Sequence, residues 1–372
     1  MYKDDFNLSS GCYLLNHSVG RALKSSQSDF NEQFFSPWQT TNKEPWQQWL
    51  CTIERFTQAL SDLFNSKQTL FCPQVNLSSA LTKILMSHPR LKQSKCRVLM
   101  AQSDFPSMGF VMQKALAKGA QIDYIPSELD LTDINVWQQY IKPDTDLVFI
   151  SHAYSNTGQQ APVSDIAQLC KHNNCLSLVD VAQSAGILAL DLATVEVDFM
   201  IGSSVKWLCS GPGAAYLWVS EAQLELCQPT DVGWFSHQNP FEFDINHFDY
   251  NTTALRFWGG TPSIAPYVIA GHSIAYFAKL GVASVREYNL KLLAQLNLAL
   301  SEYQVSPSSA QASSGTAIFN FAQQQANVMH ALTAANISVD ERAYGIRVSP
   351  HIYNDEKDIE QFIAVVQGVL RP

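Results

Sequence analysis

A succession of short aliphatic runs, each set apart from the next by a helix-length stretch, constrains this chain more than any other feature. Residues 97–101, 122–125, 147–151 and 176–180 are runs of this kind. Runs that short, without a polar face, read as buried parallel strands. Helical patterning fills residues 108–118, 132–141 and 163–173 between them. Residues 198–206 and 214–219 add two more strand candidates on either side of a Gly211-Pro212-Gly213 turn. Alternation of this sort implies an α/β fold, with a mostly parallel sheet covered by helices on both faces. After Pro262 the pattern changes to long helical segments through about residue 304. Weaker strand signals follow, then a closing helix from Asp355 to Leu370, with Asn354 as its expected cap.

Two of the runs lead to charge: one ends at Asp180, and the next reaches Lys206. In an open α/β sheet the ligand crevice lies outside the carboxyl ends of the strands, so these two groups are expected to meet there. An amine and a carboxylate in one crevice are what pyridoxal phosphate requires. The lysine forms the Schiff base, and the acid pairs with the pyridinium nitrogen so that the ring can accept electrons.

Composition removes several other classes. The chain has 372 residues, enough for one large and one smaller domain. It is 46% hydrophobic and 15% charged, so it can bury a substantial core. A net charge of −9 argues against nucleic acid or an anionic membrane surface as a partner. No apolar stretch approaches bilayer-spanning length, and the first residues lack a signal-peptide core. The eight cysteines suggest reduced thiols and a cytoplasmic setting, and none is spaced as a metal knuckle, so no metal is expected.

The segments Asp180-Val181-Ala182-Gln183 and Ser203-Ser204-Val205-Lys206, followed by Gly211-Pro212-Gly213, resemble the class V aminotransferase family. That family of pyridoxal-phosphate enzymes includes cysteine desulfurases, kynureninases and isopenicillin-N-epimerase-like proteins. The resemblance implies the fold-type I architecture: a large cofactor domain with a mostly parallel seven-stranded sheet between helices, and a small α+β domain. The expected division is 36–261 for the large domain, with 1–35 and 262–372 forming the small one.

The same resemblance assigns roles. Lys206 and Asp180 become the catalytic pair, and Gln183 a donor to the cofactor's phenolic oxygen. Ser204 belongs to the lysine motif. Gln74, in a segment through Ser78 that opens a helix, is placed at the phosphate; on that segment alone an ordinary capped helix reads as well. Phe105, in Phe105-Pro106-Ser107, is expected over the pyridine face, with a plain core ring as the alternative. Ser151 and Thr157 flank a polar loop resembling the family's cofactor-side loop, and His152 within it is an acid–base candidate or merely a hydrogen-bonded histidine. Trp234 matches a kynureninase phosphate contact. Thr261, in Arg256-Phe257-Trp258-Gly259-Gly260-Thr261-Pro262, resembles a residue that reaches the phosphate from a neighbouring subunit. A homodimer with shared sites is therefore expected. Arg347 resembles the arginine that holds the substrate α-carboxylate, a task suited to a planar guanidinium, with a structural salt bridge as the alternative.

Transamination, lyase chemistry and epimerisation share these residues, so the motifs do not choose among them. Cysteine desulfurases need a nucleophilic thiol shortly before the substrate arginine, and the last cysteine here is Cys227. Kynureninases carry Tyr before the lysine and His after the Asp; here those positions are Val205 and Gln183. The reading is an amino-acid-transforming enzyme of class V aminotransferase type. A kynureninase-like or other β-lyase or hydrolase and an epimerase are alternatives, and a non-catalytic binding protein is a remote one.

Overall fold

The computed structural model describes residues 2–40 and 42–371. In chain order its main elements are β1 (Cys12–Tyr13), α1 (Trp46–Phe64), β2 (Phe71–Gln74), α2 (Leu77–Leu85), β3 (Arg97–Ala101) and α3 (Pro106–Ala115). Then come β4 (Gln121–Ile125), α4 (Ile134–Tyr140), β5 (Leu147–Ser151), α5 (Val163–His172), β6 (Leu176–Asp180), β7 (Phe199–Ser203) and β8 (Ala215–Val219). The C-terminal part holds α6 (Ala265–Leu280), α7 (Val282–Leu300), β9 (Ala317–Phe319), α8 (Gln325–Ala334), β10 (Ile337–Ser338), β11 (Asp340–Arg342), β12 (Gly345–Val348) and α9 (Glu356–Leu370).

Seven strands form the main sheet in the order β2-β8-β7-β6-β5-β3-β4. The five from β7 to β4 run parallel, whereas β8 is antiparallel to both β7 and β2. Residues 147–151 and 176–180 are buried throughout, as uninterrupted aliphatic strands covered on both faces must be. Parallel register sets Ser151 beside Asp180 and carries both to the same sheet edge, where the chain leaving β7 supplies Lys206. The strand and helix expectations hold here to within a few residues. The closing helix differs by one position at its start. Asp355 is the cap, in a reciprocal box with Asp358, while Asn354 donates to the Tyr13 carbonyl at 3.0 Å.

Two cores divide the molecule. The larger surrounds the main sheet, and the smaller joins α7, α8, α9 and the sheet β11-β12-β9. Here the packing departs from a division at residue 262. Helix α6 belongs to the larger core, lying against α1 so closely that a Cβ on Gly271 would meet the Phe56 backbone at 3.2 Å. Core membership therefore changes inside α7, between Val285 and Leu292. The N-terminal residues also split: Phe6 and Leu23 enter the larger core, Cys12 and Leu14 the smaller.

That N-terminal strap crosses between the two cores. Strand β1 pairs in parallel with β10, Leu15 bridges Ser349, and the Gly20 amide donates to the Val205 carbonyl at 2.9 Å. A side chain at position 20 would lie 2.1 Å from the Lys206 carbonyl oxygen, so only glycine passes here.

Candidate active site

A cavity of about 280 Å³ opens at the carboxyl ends of β3, β5, β6 and β7, near the lower end of the usual range for small-molecule sites. Lys206, Asp180, Gln183, Phe105, Ser151 and Tyr154 line it. The sequence brought five of these six forward, and the structure gathers them around one space.

The electrostatics of the pair follow from burial. Burial pushes the Lys206 amine down to about 8, with Asp180 opposing and Arg347 reinforcing. Burial likewise lifts the Asp180 carboxyl to about 6, against the Ala182 N–H that donates to it at 2.8 Å and against Lys206. Among the described residues neither is joined to the other by a hydrogen bond or an ion pair. The amine lies 6.0 Å from the Phe105 ring centroid, and that ring is 55% exposed toward the cavity. It is held there because Phe105 stands in extended conformation just before Pro106 starts α3.

The other assigned residues fall into two groups. Ser151 donates to Asp104 Oδ1 at 2.7 Å, and Gln183 Nε2 donates to the His17 carbonyl at 3.1 Å. Gln74 does not reach the cavity; it lies buried in β2 and donates to the Phe257 carbonyl at 3.1 Å. Leu77 and Ser78, in the first turn of α2, are the residues of that segment that line the space, below a cap made by Asn76. Ser204 turns away and donates to the Ala214 carbonyl at 2.7 Å, leaving Ser203 in the wall. Thr157 is outside the cavity and bonds Gln159. His152 is buried with Nδ1 unpartnered, and burial lowers it to about 4, so it stays neutral outside the lining. Trp234 packs on Trp46 and Phe235 outside the cavity, and Thr261 is exposed on the surface.

Arg347 stands behind the wall formed by Ser155. Its Nη1 donates to the Ser155 carbonyl at 3.1 Å, while Nε and Nη2 hold the Asp340 carboxylate. Three of the five guanidinium hydrogens are thereby engaged, leaving one on each Nη. Burial works against ionisation of Asp340, but the bonds from His17 and Arg347 hold its carboxyl well below the usual carboxylate range. His17 Nε2 lies 2.8 Å from Asp340, and its other nitrogen 2.6 Å from Ser349.

Sequence reasoning passed over Asp104, Tyr154, His17 and Asp340. Asp104 had a local signal, because it lies between a strand end and a proline-started helix. Burial lifts its carboxyl to about 7, opposed by Ser151 and the Ala101 N–H. Tyr154 follows the end of β5 by three residues, whereas His17 and Asp340 depend on contacts between distant segments.

The residues present suit pyridoxal phosphate. The Tyr154 hydroxyl is buried and unpartnered at the wall, the lysine amine is free, and the first turns of α2 and α3 both face the cavity. Helix starts of that kind offer backbone N–H groups to a phosphate.

Comparison with known proteins agrees with the geometry. The family model described as aminotransferase class-V matches residues 52–362. The isopenicillin N epimerase of Amycolatopsis lactamdurans is 31% identical over 235 residues, 59% of this chain and 58% of that enzyme. A kynureninase of Deinococcus radiodurans is 26% identical over 75% of this chain and 68% of its own. The solved structure of C-DES with glycine covalently linked to its PLP cofactor superposes with a TM-score of 0.88 at 21% identity, covering 98% of both chains.

Proposed function

We propose that this chain, which belongs to the class V aminotransferase family and uses pyridoxal 5'-phosphate as its cofactor, transforms an amino acid by transamination or closely related chemistry. The observation that carries the reading is the convergence of the Lys206 amine and the Asp180 carboxylate on one cavity beside the Phe105 ring.

When bound, the cofactor supplies an electron sink for a bond broken at the substrate α-carbon. The protein's residues do the rest. Lys206 anchors the cofactor by its amine, which burial keeps partly neutral and nucleophilic near physiological pH. Its amine, once free, would hold and return the proton of the substrate α-carbon. Asp180 would hold the cofactor's pyridine nitrogen and keep a proton there. Phe105 would cover a face of the ring. Gln183 Nε2 has one hydrogen on His17 and a second for the phenolic oxygen. The first turn of α2 around Ser78 would hold the phosphate, and Thr261 of a second subunit would complete that end.

Arg347 receives the substrate carboxylate through its two remaining Nη hydrogens, and Asp340 holds the guanidinium in place for that task. No cysteine lines the cavity, which supports reading the chain away from cysteine desulfuration. Purified protein should be reconstituted and offered a panel of amino acids while the cofactor spectrum and products are followed. Keto acid formation is the expected outcome; inverted or side-chain-cleaved products would move the enzyme to the neighbouring chemistries. A panel that leaves the spectrum untouched would refute the reading.

A further inference from the structure

On a face of the molecule outside the cavity, residues 237–249 form a loop closed by its own polar side chains. Both oxygens of Glu242 face imidazole nitrogens: Oε2 lies 2.9 Å from His237 Nε2, and Oε1 lies 2.9 Å from His247 Nδ1. These donor atoms of His237, Glu242 and His247 lie within 4.8 Å of one another. Two nitrogens and a carboxylate oxygen bound to one zinc-type ion at about 2.0–2.2 Å would stand roughly 3.3 Å apart in tetrahedral geometry. Small side-chain shifts reach that arrangement.

The opposite side of each ring gives the second observation. His237 Nδ1 lies 2.8 Å from the Asp249 carbonyl oxygen, and His247 Nε2 lies 2.9 Å from the Asp249 carboxylate. One residue thus sets an oxygen against the far nitrogen of both rings, an arrangement that suits the tautomer with the near nitrogen bare. Metal-bound histidines are held in just this way, by a carbonyl or carboxylate on the nitrogen that does not touch the metal. The competing arrangement for His237 is acceptance from the Asp249 amide, 3.0 Å from Nδ1, with Nε2 donating to Glu242.

We propose that His237 Nε2, Glu242 and His247 Nδ1 bind a zinc-type divalent cation that clips the 237–249 loop closed, with Asp249 orienting both rings. The nitrogen and oxygen donors favour a borderline metal over calcium or magnesium, which prefer oxygen alone. The spacing of five and five residues contains no cysteine, so a search for cysteine knuckles passes over it. None of these residues lines the cofactor cavity, which places the proposed ion away from the reacting groups. The clip holds a loop whose Phe241 and Phe243 rest against Trp234, at 5.6 and 6.1 Å between ring centroids.

The test uses the full chain, stripped with chelator and titrated with Zn²⁺ by calorimetry, with Co²⁺ as a spectroscopic probe of ligand geometry. The expected result is about one ion per chain with a low-symmetry nitrogen–oxygen spectrum. His247→Ala alters a half-exposed ring, so the fold is retained, and affinity should fall on the order of 100-fold. Asp249→Asn should weaken binding by about 10-fold. His172→Ala, an exposed histidine elsewhere, should change nothing. Limited proteolysis between residues 238 and 248 should slow at least several-fold when Zn²⁺ is added. The site is refuted if saturable binding is absent, or if His247→Ala and Glu242→Gln both bind like the parent. Binding without protection from proteolysis would overturn the clip.

Discussion

The strand-end cavity and the aromatic segment 233–261 carry assigned cofactor residues in opposite ways. Around the cavity, Asp180, Ser151 and Gln183 are each held by a hydrogen bond within the same chain. The 233–261 segment presents Thr261 to solvent, together with Phe243 at 76% and Ile245 at 98% exposure. Apolar side chains exposed next to one another mark a surface that something else covers. The lining of the first region comes from one chain, and only the proposed Thr261 contact would come from another. For the second we propose a partner chain against the Thr261 end, a two-fold dimer supplying each site with the other's Thr261.

The comparison breaks first at the lysine. Lys206→Ala should reduce turnover at least about a thousandfold, the scale of a lost proton-transfer group. Borohydride reduction and peptide mapping of the parent should place the cofactor on Lys206; label on another lysine would move the site. Asp180→Ala should reduce turnover far more than cofactor affinity, and near-normal turnover would remove Asp180 from its role. Arg347→Ala should raise the Michaelis constant for the amino acid by about 2–5 kcal/mol of lost binding while cofactor absorbance stays intact.

Thr261→Val should cost about 1–3 kcal/mol in cofactor retention if its hydroxyl bonds a phosphate. Mixed dimers of Lys206→Ala and Thr261→Val chains locate that hydroxyl. If the sites are shared, one site carries both defects and the other neither. Both defects always disabling their own chain's site would place Thr261 within its own subunit. The smallest effect is in pH. With the amine lowered to about 8, its neutral, nucleophilic form accumulates as pH rises through that value, so the rate of cofactor capture by cofactor-free protein should climb there rather than near 10.5.

The parts legible in the sequence were those fixed by local pattern. Buried strands announce themselves as aliphatic runs, and the residue at their end inherits its place from the sheet, which is why Asp180, Ser151 and Lys206 could be read in advance. What failed was side-chain direction within a motif. Ser203 and Ser204 are adjacent, and the turn after β7 sends one into the cavity and the other to the Ala214 carbonyl. Gln74 and Ser78 share a segment, yet the first is consumed inside the sheet edge. Thr157 is occupied by a neighbour two residues on. His17, Asp340 and Arg347 lie hundreds of residues apart along part of their network, so no local pattern could join them.

The strap at residues 12–23 has a consequence for biogenesis. Its partners are β10, Ser349 and the backbone at Val205, so this strap is completed by segments far later in the chain. Pairings that span most of a chain form late, because loop closure comes before any reward from the contact. A nascent chain still short of β10 can stack its main sheet but cannot yet fasten the strap over the Lys206 backbone. The lysine's surroundings are therefore finished only after β10 and Ser349 have been made, which delays cofactor capture until those later segments are in place.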